Sequence, residues 1–182
     1  VDKEAFRGGI PDIVGLIPYA PFSFYIRRKL FIHNMGHAIC AYLGWLKGYE
    51  YIWQAVADEE IKAAAQAAMD GSAAALSKEY GVPESELKEH VRDLLSRFGN
   101  QALRDTTVRV GADPVRKLRR NDRVVGAALF CLEQGVDPSP IITGIVAALK
   151  FDRADDPTAP EIQKALREQG VEYVMQRYMS LQ

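Results

Sequence analysis

Four polar residues lie close together in one apolar stretch of the sequence: Lys29, His33, Asn34 and His37. At about 100° per residue of α-helix, the last three lie about 40°, 140° and 80° around the axis from Lys29. All four therefore occupy one broad side of a helix, over about 12 Å of its length. A lysine of lowered pKa can accept a hydroxyl proton, while amide and imidazole N–H groups stabilise an oxyanion. The spacing favours alcohol oxidation or carbonyl reduction, and the alternative is the solvated face of an amphipathic helix.

The same stretch also raises the question of a metal, because His33 and His37 are four residues apart and face one side of a helix. A zinc metalloprotease would need a glutamate where this chain has Asn34, together with a third ligand. The two cysteines, Cys40 and Cys131, form no CxxC or Cys/His pattern, and we expect them to be small core residues. We therefore expect no metal site.

A second cluster is basic, with five positive side chains within eight positions, directly after Asp113 and Pro114. Asp-Pro is typical of a helix start, and a helix N-terminus with nearby arginines suits a phosphate group. The alternative is a solvated run of charge. No aromatic residues alternate with these charges, which argues against a nucleic-acid surface. The five residues are Arg116, Lys117, Arg119, Arg120 and Arg123.

The composition limits the class of protein. The 182 residues include 23 basic and 24 acidic side chains, so net charge attracts neither nucleic acid nor an anionic membrane. With 48% hydrophobic residues the chain can bury a core, which excludes disorder. Its apolar runs are shorter than the roughly 20 residues that span a bilayer, and no secretory signal is recognised. We expect a cytoplasmic protein without nucleic-acid or membrane partners.

The elements that position these residues are predicted to be helices. Residues 1–22 contain many glycines and prolines and should form an extended arm, with one strand-like run at Ile13–Ile17. From Ser23 onward the periodicity is helical and predicts about seven helices without a sheet. Gly71 lies inside one of them and predicts a close contact with a neighbouring helix.

Capping residues predict most of the helix boundaries. Asp58, Pro83 and Ser139 should begin helices, while Gly48, Gly99 and Gly135 should end them. The expected apolar face after Pro83 consists of Leu87, Val91, Leu94, Leu95 and Phe98. Thr158 and Glu161 have the spacing of a capping box, and their helix should end near Gly170.

The pattern Lys29-x4-Asn34-x2-His37 resembles the signature of the polyol-specific long-chain dehydrogenases, the mannitol dehydrogenase family. The surrounding sequence RRKLFIHNMGHAICAYLG is similar to the mannitol-1-phosphate 5-dehydrogenase branch in particular. The likeness continues in register through residues 97–100, 109–111, 114–118, 121–123 and 151–157. One residue departs from the family pattern: Gln101 occupies a turn position where members often have proline.

This resemblance implies an all-α, multi-helical C-terminal domain of the mannitol dehydrogenase and 6-phosphogluconate dehydrogenase C-terminal-like type, with a short extended N-terminal arm. Residues 1–22 would lead out of a Rossmann domain that this sequence lacks, and residues 23–182 would form the substrate-binding and catalytic domain. NAD would be bound mainly by the Rossmann domain, because this chain contains no GxGxxG sequence.

The resemblance also implies roles for individual residues. Lys29 would be the general base of a zinc-independent oxidoreductase, with Asn34 and His37 polarising the reacting oxygen. The residues that would bind substrate are His33, Arg116, Lys117 and Arg123.

The reaction implied is the NAD-dependent interconversion of mannitol 1-phosphate and fructose 6-phosphate by the parent protein, with this domain inactive alone. One alternative is a relative acting on an unphosphorylated polyol or a hexuronate, of the mannitol 2-dehydrogenase or fructuronate/tagaturonate reductase type. Another is a helical interaction module without enzyme activity. The sequence leaves open the choice between NAD and NADP, the reaction direction and the oligomeric state.

Overall fold

The computed structural model describes residues 1–181, and within them it contains ten α-helices and no β-sheet. Extended chain pairs only at two isolated bridges in this range, Asp2 with Tyr19 and Tyr51 with Thr106. The predicted all-α, multi-helical class is confirmed. The elements are α1 (Ser23–Arg28), a π-helical segment (Lys29–Asn34), α2 (Met35–Leu46), α3 (Ile52–Ala57), α4 (Glu59–Tyr80), α5 (Glu84–Phe98), a 3₁₀ turn (Gln101–Leu103), α6 (Thr107–Gly111), α7 (Pro114–Lys117), α8 (Val125–Glu133), α9 (Ser139–Leu149) and α10 (Ala159–Met179).

Helix α2 runs through the centre of the core, because glycines allow three neighbouring helices to approach it closely. A Cβ on Gly36 would lie only 2.3 Å from the sulfur of Met69 in α4. A Cβ on Gly44 would lie 2.8 Å from the nearest side-chain atom of α3. On a third side, a Cβ on Gly144 of α9 would lie 2.5 Å from Cγ1 of Ile39. These contacts fix the rotation of α2, and with it the direction of its polar face.

Most of the predicted helix boundaries are confirmed. The Asp58 carboxylate accepts hydrogen bonds from two first-turn amides of α4, which is the geometry of an N-cap. Pro83 precedes α5, and α9 spans Ser139–Leu149 as expected. Gly48 and Gly135 follow α2 and α8 with φ of +80° and +62°, a conformation that favours glycine. The predicted apolar face of α5 is buried, at Leu87, Val91, Leu94, Leu95 and Phe98.

The strand-like run at Ile13–Ile17 belongs to the N-terminal arm and forms no strand. A turn interrupts this run, with φ of +84° at Gly15 and a fully exposed Val14. No neighbouring strand is present within residues 1–181 to accept its backbone hydrogen bonds. The arm instead closes on itself, with the Tyr19 amide donating to the Val1 carbonyl at 2.9 Å.

The capping box predicted for Thr158 and Glu161 is wrong. Thr158 precedes α10, but its hydroxyl donates to the Asp113 carboxylate at 3.2 Å. The buried Asp156 carboxylate accepts the amides of Thr158 and the following residue instead, each at 2.9 Å. Glu161 accepts a hydrogen bond from the Tyr178 hydroxyl at 2.8 Å. An aspartate two residues upstream therefore provides the cap that the local spacing assigned to threonine.

The close contact predicted at Gly71 is absent. A Cβ there would meet only the carbonyl oxygen of Asp137, at an ordinary 3.9 Å. The close approach between α2 and α4 is at Gly36, where Met69 fills the space above the backbone. Helix propensity alone could not distinguish Gly36 from Gly71. Whether a glycine allows a close contact depends on which face of its helix packs against a neighbouring helix.

Helix α10 bends at Gly170, which has non-helical φ and ψ of +83° and 176°, as predicted for the end of that helix. Beyond the bend, Val171 and Met175 line an apolar groove of about 260 Å³ that also includes Leu132 and Ile142. None of the helices within residues 1–181 combines the length and the hydropathy of a transmembrane span.

Candidate functional site

The three predicted catalytic residues, together with His33, lie on the π-helical segment and on the first turn of α2. The backbone N–H of Met35 reaches the carbonyl of Leu30, five residues earlier, which is the π-helical spacing. A π turn contains more residues than an α turn, so the angle of 100° per residue does not apply between Lys29 and Asn34. Residues five apart lie nearly above one another in such a turn. The segment therefore aligns Lys29 and Asn34 more closely than an α-helix would.

The side chains of this segment differ in exposure. Lys29 is exposed, whereas His33, Asn34 and His37 are half-buried. Burial is the main cause that lowers the pKa of His33, followed by the positive charges of Lys29 and Arg97. The Lys29 ammonium therefore lies within electrostatic reach of the His33 ring.

His33 and His37 form one wall of a cavity of about 130 Å³. Helix α5 supplies a second wall, where Phe98 stacks on the His37 ring with 4.7 Å between centroids and 16° between planes. The His33 ring lies 5.6 Å from the same phenyl ring. Leu94 and Arg97 of α5 also line the cavity, and the lining is completed by Ile52, Trp53, Asn100, Leu103 and Asp105. Apolar and polar residues therefore contribute equally to the lining, five of each.

The His37 ring has an acidic neighbour in the cavity wall. Its Nε2 lies 3.4 Å from Oδ2 of Asp105, a residue that the sequence analysis did not select. Burial lowers the pKa of His37 to about 4 although the Asp105 charge acts to raise it, so the ring is neutral at pH 7. Asp105 is distant from His37 in sequence, and no local spacing rule could have joined them.

Lys117 is buried, with 4% of its surface exposed, and its Nζ donates a hydrogen bond to the Ala112 carbonyl. Its pKa is lowered to about 8, mainly by burial and then by the positive charges of Arg116 and Arg123. An anion close to Lys117 would have the opposite effect and would stabilise the charged form.

The two predicted arginines have different surroundings. Arg116 is exposed and forms an ion pair with Asp113, the N-cap of its own helix, at 3.0 Å. Arg123 is half-buried and is held by Asp122 at 2.8 Å. The Arg123 charge also lowers the pKa of His37, so its guanidinium lies on the histidine side of the domain. The structure thus brings Arg123 into the electrostatic environment of His37.

A buried tyrosine lies in the same region. The Tyr42 hydroxyl is fully buried and has no hydrogen-bond partner among residues 1–181. Burial raises its pKa, and the charge of Arg123 acts in the opposite direction. Arg123 therefore lies within electrostatic reach of His37, Tyr42 and Lys117.

The described part of the chain contains no group of three or more His, Cys, Asp or Glu side chains that could hold a metal ion. Both cysteines are buried, and burial raises the pKa of the Cys40 thiol to about 12.

Two solved structures share this fold. One is the Pseudomonas fluorescens mannitol 2-dehydrogenase ternary complex with NAD and D-mannitol, with a TM-score of 0.72 and 24% identity over 92% of this chain and 36% of that chain. The other is D-sorbitol dehydrogenase in substrate-free form, with a TM-score of 0.60 and 23% identity over 79% of this chain and 29% of that chain. The chain thus spans about a third of the length of these solved chains.

The family comparison covers most of the sequence. The sequence model described as "Mannitol dehydrogenase C-terminal domain" matches residues 22–179, which include the π-helical segment, the cavity and the basic cluster. The chain therefore belongs to the family of mannitol dehydrogenase C-terminal domains.

Proposed function

We propose that this chain is the substrate-binding and catalytic domain of an NAD-dependent polyol dehydrogenase, with Lys29 as the general base. The observation that supports this most is the placement of Lys29, Asn34 and His37 on one π-to-α segment, with His37 lining a cavity. An exposed lysine next to half-buried amide and imidazole groups provides a proton acceptor and hydrogen-bond donors for one substrate oxygen.

The chemistry assigned to these residues is the loss of a proton from a hydroxyl group. When a secondary alcohol becomes a ketone, carbon loses a hydride and oxygen loses a proton, which Lys29 Nζ accepts. The Asn34 amide and the His37 N–H then donate hydrogen bonds to the oxygen as its negative charge develops. In the reverse direction, protonated Lys29 returns the proton to the oxygen.

Lys29 must be neutral to accept that proton. A lysine has an ordinary pKa of about 10.4, and a general base near neutral pH needs a value of about 7–8. Lys29 is exposed on this domain, so a covering domain would have to exclude water from it before it could act as a base near neutral pH. This requirement supports the expectation that the isolated chain is inactive.

The nicotinamide cofactor would supply the hydride acceptor, but this chain lacks the usual fold for a dinucleotide. The sequence contains no GxGxxG, and no sheet is present within residues 1–181. We therefore assign NAD binding to a Rossmann domain of the parent protein, with residues 1–22 leading out of it and residues 23–182 completing the active site. The length of the solved dehydrogenase chains, about three times the matched part, is consistent with such a parent.

The substrate we propose is mannitol 1-phosphate, which the parent would interconvert with fructose 6-phosphate. Lys117 and Arg123 support an anionic substrate, because both carry positive charge near one another and Arg123 lies within reach of His37. An unphosphorylated polyol is the second candidate. Two observations favour it: Arg116 is already paired with Asp113, and both similar structures are named for unphosphorylated polyols.

The test uses the parent protein, with NADH formation or consumption followed for mannitol 1-phosphate, mannitol and a hexuronate. We expect Lys29→Ala to lower kcat by about 10²–10⁴-fold, because general-base catalysis contributes that much. The matched control is Lys164→Ala, which removes an exposed lysine from α10. Full activity of Lys29→Ala, or no turnover of any of the three substrates, would contradict the proposed function.

The phosphate assignment has its own variants. Lys117→Met and Arg123→Gln should raise KM for mannitol 1-phosphate, while KM for mannitol should change little. Arg119→Gln is the control, because this arginine is exposed. Turnover of mannitol alone would retain the role of Lys29 and refute the phosphate role of Lys117 and Arg123.

A further inference from the structure

The His37 ring contacts a carboxylate to which the proposed function assigns no role. Nε2 of His37 lies 3.4 Å from Oδ2 of Asp105, and both residues line the cavity. Phe98 covers one face of the ring at 4.7 Å, which prevents free rotation of the imidazole. The Nε2 edge of the ring therefore faces Asp105 and the cavity together.

Asp105 is held in place by contacts on both its backbone and its side chain. Its carbonyl accepts the amide of Ile52 at 2.9 Å, beside the backbone bridge between Tyr51 and Thr106. Its Oδ1 forms an ion pair with Arg109, four residues later on α6. With Oδ1 engaged by arginine, Oδ2 is the oxygen that faces the histidine.

The carboxylate determines which nitrogen of the ring carries a proton. A neutral imidazole has one N–H donor and one acceptor nitrogen, and an ionised carboxylate can only accept. A proton on Nδ1 would leave the lone pair of Nε2 beside the negatively charged carboxylate of Asp105, which is repulsive. A proton on Nε2 instead gives an attractive contact. Since burial keeps His37 neutral at pH 7, its single proton should reside on Nε2.

The contact is also long enough to leave this N–H available to another acceptor. Hydrogen bonds from N–H to oxygen measure about 2.7–3.2 Å, and the separation here is 3.4 Å. A substrate oxygen in the cavity can therefore accept the Nε2–H bond more fully than Asp105 does.

We infer that Asp105 is a positioning residue that keeps the single proton of His37 on Nε2, facing the cavity, so that the neutral ring donates a hydrogen bond. The donor role toward a reacting oxygen depends on the proposed function, whereas the position of the proton does not. Other charged or titratable groups also face this site: His33, Arg109 and Arg123 disfavour protonation of the ring, Asp105 favours it, and Arg97 lines the same cavity.

The first test is ¹⁵N NMR of histidine-labelled 182-residue chain at pH 7, which identifies the protonated nitrogen. The wild type should show His37 with Nε2–H. Asp105→Asn should abolish this preference and lower the pKa of His37, whereas Arg109→Gln should raise that pKa and leave the proton on Nε2. A wild-type ring protonated on Nδ1, or an unchanged tautomer in Asp105→Asn, would overturn the inference.

Two further variants separate the effect of the Asp105 charge from a general loss of packing around His37. Asp93→Asn removes another carboxylate that is paired with an arginine, but its charge acts on His90 and not on His37. It should lower the pKa of His90 and leave the His37 spectrum unchanged. Asp105→Glu retains the charge and should retain Nε2–H, which a loss of packing alone would not explain.

The second test is kinetic and uses the parent protein. Asp105→Asn should lower kcat about 10- to 100-fold with little change in KM, the range seen when a metal-bound histidine loses the partner that orients its ring. If Lys29→Ala is inactive while Asp105→Asn keeps full kcat, the inference fails and the proposed function stands. If Lys29→Ala is fully active but His37 carries Nε2–H only when Asp105 is present, the proposed function fails and the assigned proton position stands.

Discussion

The rings of His37 and Phe98 are stacked across two helices, α2 and α5, with centroids 4.7 Å apart and planes inclined by only 16°. Removal of water by burial is the largest cause of the low pKa of His37. One aromatic side chain on a different helix is thus part of what keeps this imidazole neutral, in addition to completing the core.

Phe98→Leu should raise the pKa of His37 from about 4 toward its ordinary value, because a smaller side chain admits water to the ring. The loss of the aromatic pair should also cost about 1 kcal/mol of unfolding free energy. An NMR titration of His37 measures the first effect, and urea unfolding measures the second.

Phe130→Leu is the matched control for this prediction. Phe130 is buried and forms an aromatic pair with Phe31, with centroids 5.5 Å apart, so its loss should destabilise the fold similarly. The pKa of His37 in Phe130→Leu should equal that of the wild type. Equal pKa changes in the two variants would show that general loosening, and not the Phe98 ring, controls the histidine.

Gly36→Ala should destabilise the chain by about 1–3 kcal/mol, because the new methyl would lie 2.3 Å from the Met69 sulfur. The same substitution at Gly71, in the middle of α4, should stabilise by up to about 1 kcal/mol through helix propensity. Urea unfolding of both variants gives the comparison. If Gly36→Ala is as stable as Gly71→Ala, the close approach of α2 and α4 is not as described.

Gly170→Ala should cost about 1–3 kcal/mol, because φ of +83° with ψ of 176° is a conformation essentially restricted to glycine. Nothing lies within 4 Å of a Cβ at this position, so the cost comes from the backbone and not from a clash. Thermal unfolding against the wild type measures it. A variant of unchanged stability would mean that α10 is continuous through this residue in solution.

The lowered pKa of Lys117 predicts that the free energy of unfolding depends on pH in a specific range. Its pKa is about 8 in the folded chain and 10.5 in the reference state, so between these values the unfolded chain binds more protons. The folded state therefore gains stability as pH rises through this window, by at most about 3 kcal/mol. Lys117→Met lacks this gain. Urea unfolding of both proteins across the window measures the difference, and parallel pH profiles would exclude a depressed pKa at Lys117.

The helix boundaries could be read from the sequence because their determinants act within a few residues. Asp58 and Pro83 mark helix starts, and Gly48 and Gly135 mark ends, each through its own backbone or side-chain geometry. Thr158 shows the limit of such reasoning, since Asp156 competed for the same amides and formed the cap.

The site was only partly predictable for the same physical reason. Lys29, His33, Asn34 and His37 could be selected because they are neighbours in one helical stretch. Asp105 and Phe98 could not be placed beside them, since their contacts with His37 depend on how α2 packs against other elements. The hydrogen bond from the Met35 amide to the Leu30 carbonyl could not be predicted either, because the spacing of apolar residues does not determine which carbonyl accepts an amide.

The π-helical segment ties the chemistry to the length of the chain as well as to its residue types. A π turn arises when one residue is added to an α-helix, so removing a single residue between Lys29 and Asn34 would convert the segment to ordinary α-helix. Lys29 and Asn34 would then stand four positions apart in an α-helix, where residues i and i+4 lie on the same face. The π turn thus accommodates one extra residue without turning the lysine and the asparagine away from each other, whereas an α-helix over all six residues would place them about 140° apart.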